Sequence, residues 1–184
     1  LLNAVVGLLS LRDAVSGTAR LADQHLPAVA HIGQLRAGVG NLRRFEKDAI
    51  INTGNPEKIE SYLPRWKQAL ATSREALREL QGKVGPDGQA MVAGIAKGLD
   101  NYAKGFDQVS QQLMQGRFGD ATYANEAMEP MKGDIRAMDE QLQALTQLVD
   151  KASDDERAAA ASLLTRQTTL QLVALLAIGM VLGV

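Results

Sequence analysis

The chain has 184 residues and a formal net charge of −1, with 20 lysines plus arginines against 21 aspartates plus glutamates. This balance excludes the strongly basic field through which many proteins bind nucleic acid, so we expect no nucleic-acid partner. The sequence contains no cysteine, which excludes disulfide scaffolds, thiolate metal sites and cysteine nucleophiles.

The two ends of the chain are strongly apolar. Residues 1–11, LLNAVVGLLSL, carry no charge, and neither do residues 170–184. Each stretch is shorter than the ~20 residues of a membrane-spanning helix. We interpret 1–11 as the end of a first transmembrane helix and 169–184 as the start of a second, which puts residues 12–168 on one side of a membrane. The alternatives are a signal-peptide remnant or a buried helix end for 1–11 and a C-terminal core helix for the second stretch.

The first helix is predicted to run from the apolar N-terminal end to about residue 52, near the turn TGNPE (53–57). In that turn Gly54 is a helix terminator and Asn55 an N-cap, and Pro56 suits the first position of the next helix. The apolar pattern of the first helix is weak, because Glu46 occupies a position where an apolar residue is expected. Its apolar positions are Leu21, Val29, Ile32, Leu35, Val39, Leu42 and Ala49.

Three more helices follow, each with apolar residues at intervals of three and four. They are expected at about 56–84, about 88–115 and from about 121 into the apolar C-terminus. The turn VGPDG, in which Gly85 is the terminator, and the turn QGRFGD separate them. The sequence therefore predicts an all-α fold: an antiparallel up-down-up-down four-helix bundle with two long outer helices running into the membrane.

A stripe of cations stands out on the first helix, around the stretch NLRRFEKDA (41–49). At 100° per residue, Arg36, Arg43 and Lys47 fall within about 40° of one another, roughly 80° from the apolar face. Arg43 and Lys47 are like charges one turn apart, an unfavourable arrangement unless an anion lies between them. The stripe is either an anion site or a solvated helix face. On the third helix, Tyr102 is a candidate neutral donor to such an anion, with core packing as the alternative.

With two membrane-like ends, a four-helix bundle and this stripe, the chain resembles the periplasmic sensor domain of bacterial methyl-accepting chemotaxis receptors of the aspartate or citrate type. The resemblance implies a bacterial inner-membrane protein whose periplasmic domain binds a small organic acid, such as malate or citrate. It would then signal to a cytoplasmic region of the same chain. Family sites also use the start of the last helix, so the ligand-binding residues implied are Arg36, Arg43, Lys47, Thr122 and Tyr123.

The resemblance also implies a homodimer or higher homo-oligomer. The weak apolar pattern of the first helix fits a surface shared with a partner subunit, and we expect Gly38 and Gly40 to let that subunit approach closely. The sequence shows no nucleophile with a base and no cluster with metal-ligand spacing, so we expect no enzymatic activity, no metal and no cofactor. Two other functions remain open: the sensor domain of a membrane histidine kinase, and a structural bundle without a ligand.

Overall fold

The computed structural model describes residues 12, 15–17, 19 and 21–182. Within those residues the protein is all-helical and has no strand, which confirms the predicted class. A π-helical turn at Leu21–His25 comes first, and a 3₁₀ turn at Glu129–Met131 precedes the last helix. The α-helices are α1 (Leu26–Ile51), α2 (Pro56–Gln81), α3 (Pro86–Met114), α4 (Ala121–Ala127) and α5 (Lys132–Leu182).

The chain divides into two compact units. Pro27–Val149 forms one unit, which contains the hydrophobic core. The other unit is formed by Leu1–Leu26 and Asp150–Val184. Among the described residues of this second unit, His25 Nε2 lies 3.6 Å from Glu156 Oε2. Residues 1–11, predicted as the end of a transmembrane helix, lie outside the described residues, whereas residues 169–182 form the end of α5.

No helix in the described part of the chain combines the length and the apolar composition that crossing a membrane requires.

The turn residues set the helix starts largely as the sequence predicts. Asn55 caps α2 by accepting a hydrogen bond from the Lys58 backbone N–H at 3.1 Å, and Pro56 follows at the first helical position. Gly54 has a φ of +87°, a conformation that favours glycine. The prediction that Gly85 ends the second helix is wrong. That helix ends at Gln81, and Gly85, with φ −69°, is instead the residue before α3.

The predicted fourth helix is broken near its start. α4 ends at Ala127, and the 3₁₀ turn that contains Pro130 separates it from α5. Proline has no N–H to donate and its ring clashes with the carbonyl four residues earlier, so Pro130 favours a break in the α-helix at this position. The expected single helix from residue 121 is therefore wrong, and Thr122 and Tyr123 lie on a separate short helix. From Lys132 to Leu182 the helix is continuous, as predicted.

Side-chain contacts within Pro27–Val149 pair the helices in opposite directions. Arg36 contacts Thr146 and Arg43 contacts Asp139, so residue numbers rise along α1 while they fall along α5. The same reversal relates α2 to α3, through the pairs Arg74–Asp100 and Trp66–Phe106. Most of the predicted apolar positions are buried, but Val29 of α1 is 46% exposed.

Gly38 brings α1 close to α2. A Cβ atom at this position would lie 2.2 Å from Ser73 Oγ and 3.6 Å from the Ala69 carbonyl oxygen. Ser73 is fully buried, and its hydroxyl donates to that carbonyl at 2.8 Å. The close approach at Gly38 is thus made by a helix of the same chain, which corrects the expectation that it serves a partner subunit. Gly40 is exposed, and a Cβ there would meet nothing within 4 Å.

Gly38→Ala should destabilise the fold, whereas Gly40→Ala should stabilise it. The methyl at residue 38 would displace a buried hydroxyl, at a cost of about 1–3 kcal/mol. At residue 40 alanine meets no clash and gains about 0.5–1 kcal/mol in helix propensity. Urea denaturation of both variants measures these changes.

Ser73→Ala in the Gly38→Ala background is the control, because it removes the oxygen that clashes and should restore most of the lost stability. Equal stability of Gly38→Ala and Gly40→Ala would contradict the contact.

Candidate functional site

An exposed face of α1 carries the predicted cations. Six exposed residues recur along it at intervals of four, three, four, three and four, so they share one side of the helix. We call this surface the cationic seam, and its residues are Val29, Gly33, Arg36, Gly40, Arg43 and Lys47. The structure therefore brings Arg36, Arg43 and Lys47 together, as the sequence predicts.

Two of these cations contact α5. Arg36 Nη2 donates to Thr146 Oγ1 at 3.0 Å, and Arg43 Nη1 lies 3.4 Å from Asp139 Oδ2. The Arg43 and Asp139 side chains are 45% and 51% exposed, so water screens the pair. Surface ion pairs of this kind contribute only about 0–1 kcal/mol. Asp139 is thus a weakly held counter-charge for Arg43.

Lys47 is the third cation, and it makes no ion pair or hydrogen bond within the described residues. It stands one helical turn beyond Arg43, on the same face. The seam therefore carries three cations and, in the part of the chain that the structure describes, one carboxylate in contact with them. The ionised carboxylate of Glu46 offsets part of this positive charge from the buried side of α1, and the remaining charge favours an anion near Arg43 and Lys47.

A buried carboxylate lies next to the seam. Glu46 is only 6% exposed, and its carboxylate accepts a hydrogen bond from the hydroxyl of Tyr102, which is fully buried on α3. This bond explains why the core tolerates Glu46 in an apolar position of α1, since a buried polar group is stable only when it is hydrogen-bonded. The Tyr102 hydroxyl, a candidate donor to a ligand, therefore donates to Glu46.

Burial raises the pKa of Glu46 above its ordinary value of 4.5, because an apolar environment disfavours the charged form. The hydrogen bond from Tyr102 and the positive charges of Lys47, Arg43 and Lys132 oppose this rise. The pKa of Tyr102 is also raised, first by burial and then by the charge of Glu46. Tyr102 consequently remains a neutral phenol that can donate its proton to the carboxylate.

Trp66 completes the surroundings of this pair from α2. Its ring centroid lies 6.1 Å from that of Tyr102 and 4.7 Å from that of Phe106. The indole N–H makes no hydrogen bond to a described residue. It nevertheless opposes part of the rise in the pKa of Tyr102. Trp66 is 5% exposed, which confirms the prediction that it belongs to the core.

Thr122 and Tyr123 lie at the start of α4 and not on the helix that carries the seam. Both backbone N–H groups donate to the Asp120 carboxylate, at 2.7 and 3.3 Å, and the Tyr123 side chain is 60% exposed. Across the described ranges, no hydrogen bond or ion pair joins either residue to a cation of the seam. Their predicted part in ligand binding rests on the family resemblance alone.

The seam is an open surface. A groove of about 590 Å³ lies between α1 and α2, and its lining includes Gly38, Phe45 and Pro64. A second groove of about 360 Å³ lies between α2 and α3. Neither groove includes a residue of the cationic seam, and the residues of the seam are exposed. An anion bound at the seam is therefore exposed to water unless a second molecule covers it. Among the described residues, no group of three or more His, Asp or Glu side chains is arranged to hold a metal ion.

The comparisons with known proteins find no family model that matches this sequence and no curated protein that matches it.

Replacing Glu46 by glutamine should remove a pH-dependent loss of stability. Because the pKa of Glu46 is raised from 4.5 in the folded state, wild-type stability should fall as the pH rises from about 4.5 through the raised pKa. Glutamine still accepts the Tyr102 hydrogen bond but carries no charge. We expect Glu46→Gln to melt a few degrees above wild type at pH 8, where about 2–4 °C corresponds to 1 kcal/mol for a protein of this size.

The melting temperatures of the two proteins should converge near pH 4. Glu60→Gln, at an exposed position of α2, is the control for the change in net charge and should differ little from wild type. A difference between Glu46→Gln and wild type that does not vary with pH would contradict the role of Glu46 ionisation.

Proposed function

We propose that this chain is the sensor domain of a bacterial methyl-accepting chemotaxis receptor and that it binds a small organic acid, a di- or tricarboxylate such as malate or citrate, at the cationic seam. The observation that carries the proposal is the imbalance of charge on that face. Arg36, Arg43 and Lys47 share one exposed surface, and Asp139 is a half-exposed and weakly held partner.

The chemistry of the seam suits a dicarboxylate. Arginine presents a planar set of N–H donors that can bind one carboxylate through two hydrogen bonds, and lysine adds a compact charge. Arg43 and Lys47 are about 6 Å apart along the helix axis, and Arg36 is about 10 Å from Arg43 in the other direction. A dicarboxylate can therefore contact Arg43 with one end and Lys47 with the other. A tricarboxylate has a further group for Arg36.

We further infer that α1, α2, α3 and α5 form an antiparallel up-down-up-down four-helix bundle. The opposite directions of α1 and α5 and of α2 and α3, together with the short turns at 52–55 and 82–85, support this arrangement. We place the domain in the periplasm, at the inner membrane and connected to a cytoplasmic signalling region of the same chain. The family resemblance and the apolar sequences at 1–11 and 169–184 support that location.

A symmetric homodimer along α1 would enclose the ligand. The alternating spacing of four and three residues along the seam is the spacing of helix pairs that pack side by side. Gly33 and Gly40 provide exposed positions without side chains, where a second helix can approach. Such a partner would add its own cations on the opposite side of the anion and exclude water, which strengthens the electrostatic attraction.

Calorimetric titration of the chain with malate and citrate tests the proposal. We expect Arg43→Gln and Lys47→Gln each to weaken binding about tenfold or more, because a hydrogen bond to a charged group contributes about 1.5–3 kcal/mol. Arg44→Gln is the matched control, with the same change of charge one residue away. The Arg44 Cζ atom lies 4.6 Å from the centroid of the Phe45 ring, and Arg44 is not part of the seam. Its replacement should therefore change binding less than twofold.

Acetate should bind much more weakly than malate, since one carboxylate cannot contact two cations at once. If no di- or tricarboxylate binds at millimolar concentration to a folded protein, the proposed function is wrong.

Sedimentation velocity tests the dimer separately. We expect a weak monomer–dimer equilibrium that citrate shifts toward the dimer, because a ligand held by two subunits stabilises their association. Gly40→Leu should shift the equilibrium toward the monomer without lowering the melting temperature, since residue 40 has open space around it. A strict monomer with and without citrate would contradict the dimer.

A further inference from the structure

Glu46 is surrounded by charged and polar groups from several helices. On α1 itself, Arg43 precedes it by three residues and Lys47 follows it directly. Tyr102 of α3 donates a hydrogen bond to its carboxylate, and Lys132 at the start of α5 contributes a third positive charge. From α2 comes the uncharged Trp66, which packs on Tyr102. Burial therefore destabilises the ionised form of Glu46, and three cations stabilise it.

Two of those three cations belong to the cationic seam. Arg43 and Lys47 are also the residues that would hold one organic anion under the proposed function. An anion bound to them neutralises part of their charge and places negative charge close to Glu46. The ionised carboxylate then loses much of the electrostatic support that offsets its burial, while its desolvation remains.

We propose that Glu46 is a proton-binding site coupled to the anion site, so that the protein takes up a proton at Glu46 when an organic anion occupies the seam. This inference rests on the proposed function and adds a second bound species, the proton. The proton comes from the solvent and joins a carboxylate oxygen of Glu46, and no other bond is made or broken. By thermodynamic reciprocity, protonation of Glu46 also tightens anion binding.

The pairing with Tyr102 allows Glu46 to exist in both protonation states. The ionised carboxylate accepts from the phenol, as the structure shows. The protonated carboxyl has one O–H donor and retains an acceptor oxygen, and a phenol can both donate and accept. Either state therefore keeps a hydrogen bond between α1 and α3. Replacing Tyr102 would remove this property but would leave the cations in place.

Isothermal titration of the chain with malate in two buffers of different ionisation enthalpy, HEPES and imidazole, measures the protons taken up per anion bound. We expect wild type to take up between zero and about one proton across pH 5.5 to 8, with the maximum between the pKa of Glu46 in the free protein and its higher pKa in the anion-bound protein. The dissociation constant should accordingly rise with pH, by at most about tenfold per pH unit. Glu46→Gln should bind malate without proton uptake, and its affinity should not vary with pH over this range.

Two further variants sharpen the result. Glu60→Gln, which changes the net charge at an exposed position of α2, should retain the wild-type uptake. Tyr102→Phe removes a hydrogen bond that lowers the pKa of Glu46, so its maximal uptake should move to higher pH. If Glu46→Gln does not fold, the pH shift in Tyr102→Phe tests the assignment to Glu46.

The outcomes separate this inference from the proposed function. Malate binding without proton uptake at any pH between 5.5 and 8, or with equal uptake in wild type and Glu46→Gln, overturns the coupling and leaves the anion site standing. If neither malate nor citrate binds to the folded wild-type protein, the anion site and the coupling are both wrong.

Discussion

The buried carboxylate of Glu46 is the constraint that links the core of Pro27–Val149 to its charged surface. An ionised carboxylate loses several kcal/mol of hydration when it enters an apolar core, and that loss must be offset by hydrogen bonds and nearby positive charge. Tyr102 supplies the hydrogen bond, and Arg43, Lys47 and Lys132 supply the charge. α1, α3 and α5 therefore each contribute a group that offsets the burial of this carboxylate.

The same requirement links the proposed ligand to the core, because the cations that would bind the ligand also stabilise Glu46. Under the proposed function, an anion at the seam would compete with Asp139 for Arg43 and would reduce the positive charge available to Glu46. The first effect would act on the contact of α1 with α5, and the second on its contact with α3. A ligand shifts such an equilibrium only if it binds one arrangement more tightly than another. α5 is one continuous helix from Lys132 to Leu182, so a change of its contact at Asp139 would act on a helix of 51 residues.

Local sequence signals predicted much of this fold. Asn55 and Pro56 mark the start of α2 because capping and proline preference act within a single turn. The apolar spacing likewise identifies most of the core, and it identifies Glu46 as an exception. The reason for the exception lies on Tyr102, 56 residues away, and no local pattern connects the two. The sequence marks each of the two residues separately, but the hydrogen bond between them depends on how α1 and α3 are aligned.

The candidate site shows the same division between local and long-range information. The shared face of Arg36, Arg43 and Lys47 follows from helix geometry alone. Their contacts with Thr146 and Asp139 depend on the register between helices about 100 residues apart in sequence. The sequence places Val29 in the core because valine is apolar and fits the spacing. Val29 instead lies on the exposed seam, since the weak apolar pattern of α1 does not define the width of the buried face.

The most direct test of this account follows the arginine side chains by ¹⁵N NMR while citrate is added. If the cationic seam is the anion site, the guanidinium signals of Arg36 and Arg43 shift together with a single dissociation constant, while those of Arg44 and Arg78 stay in place. If all four signals move equally, or if Arg43 does not respond while citrate binds elsewhere, the seam is a solvated helix face and the account is wrong.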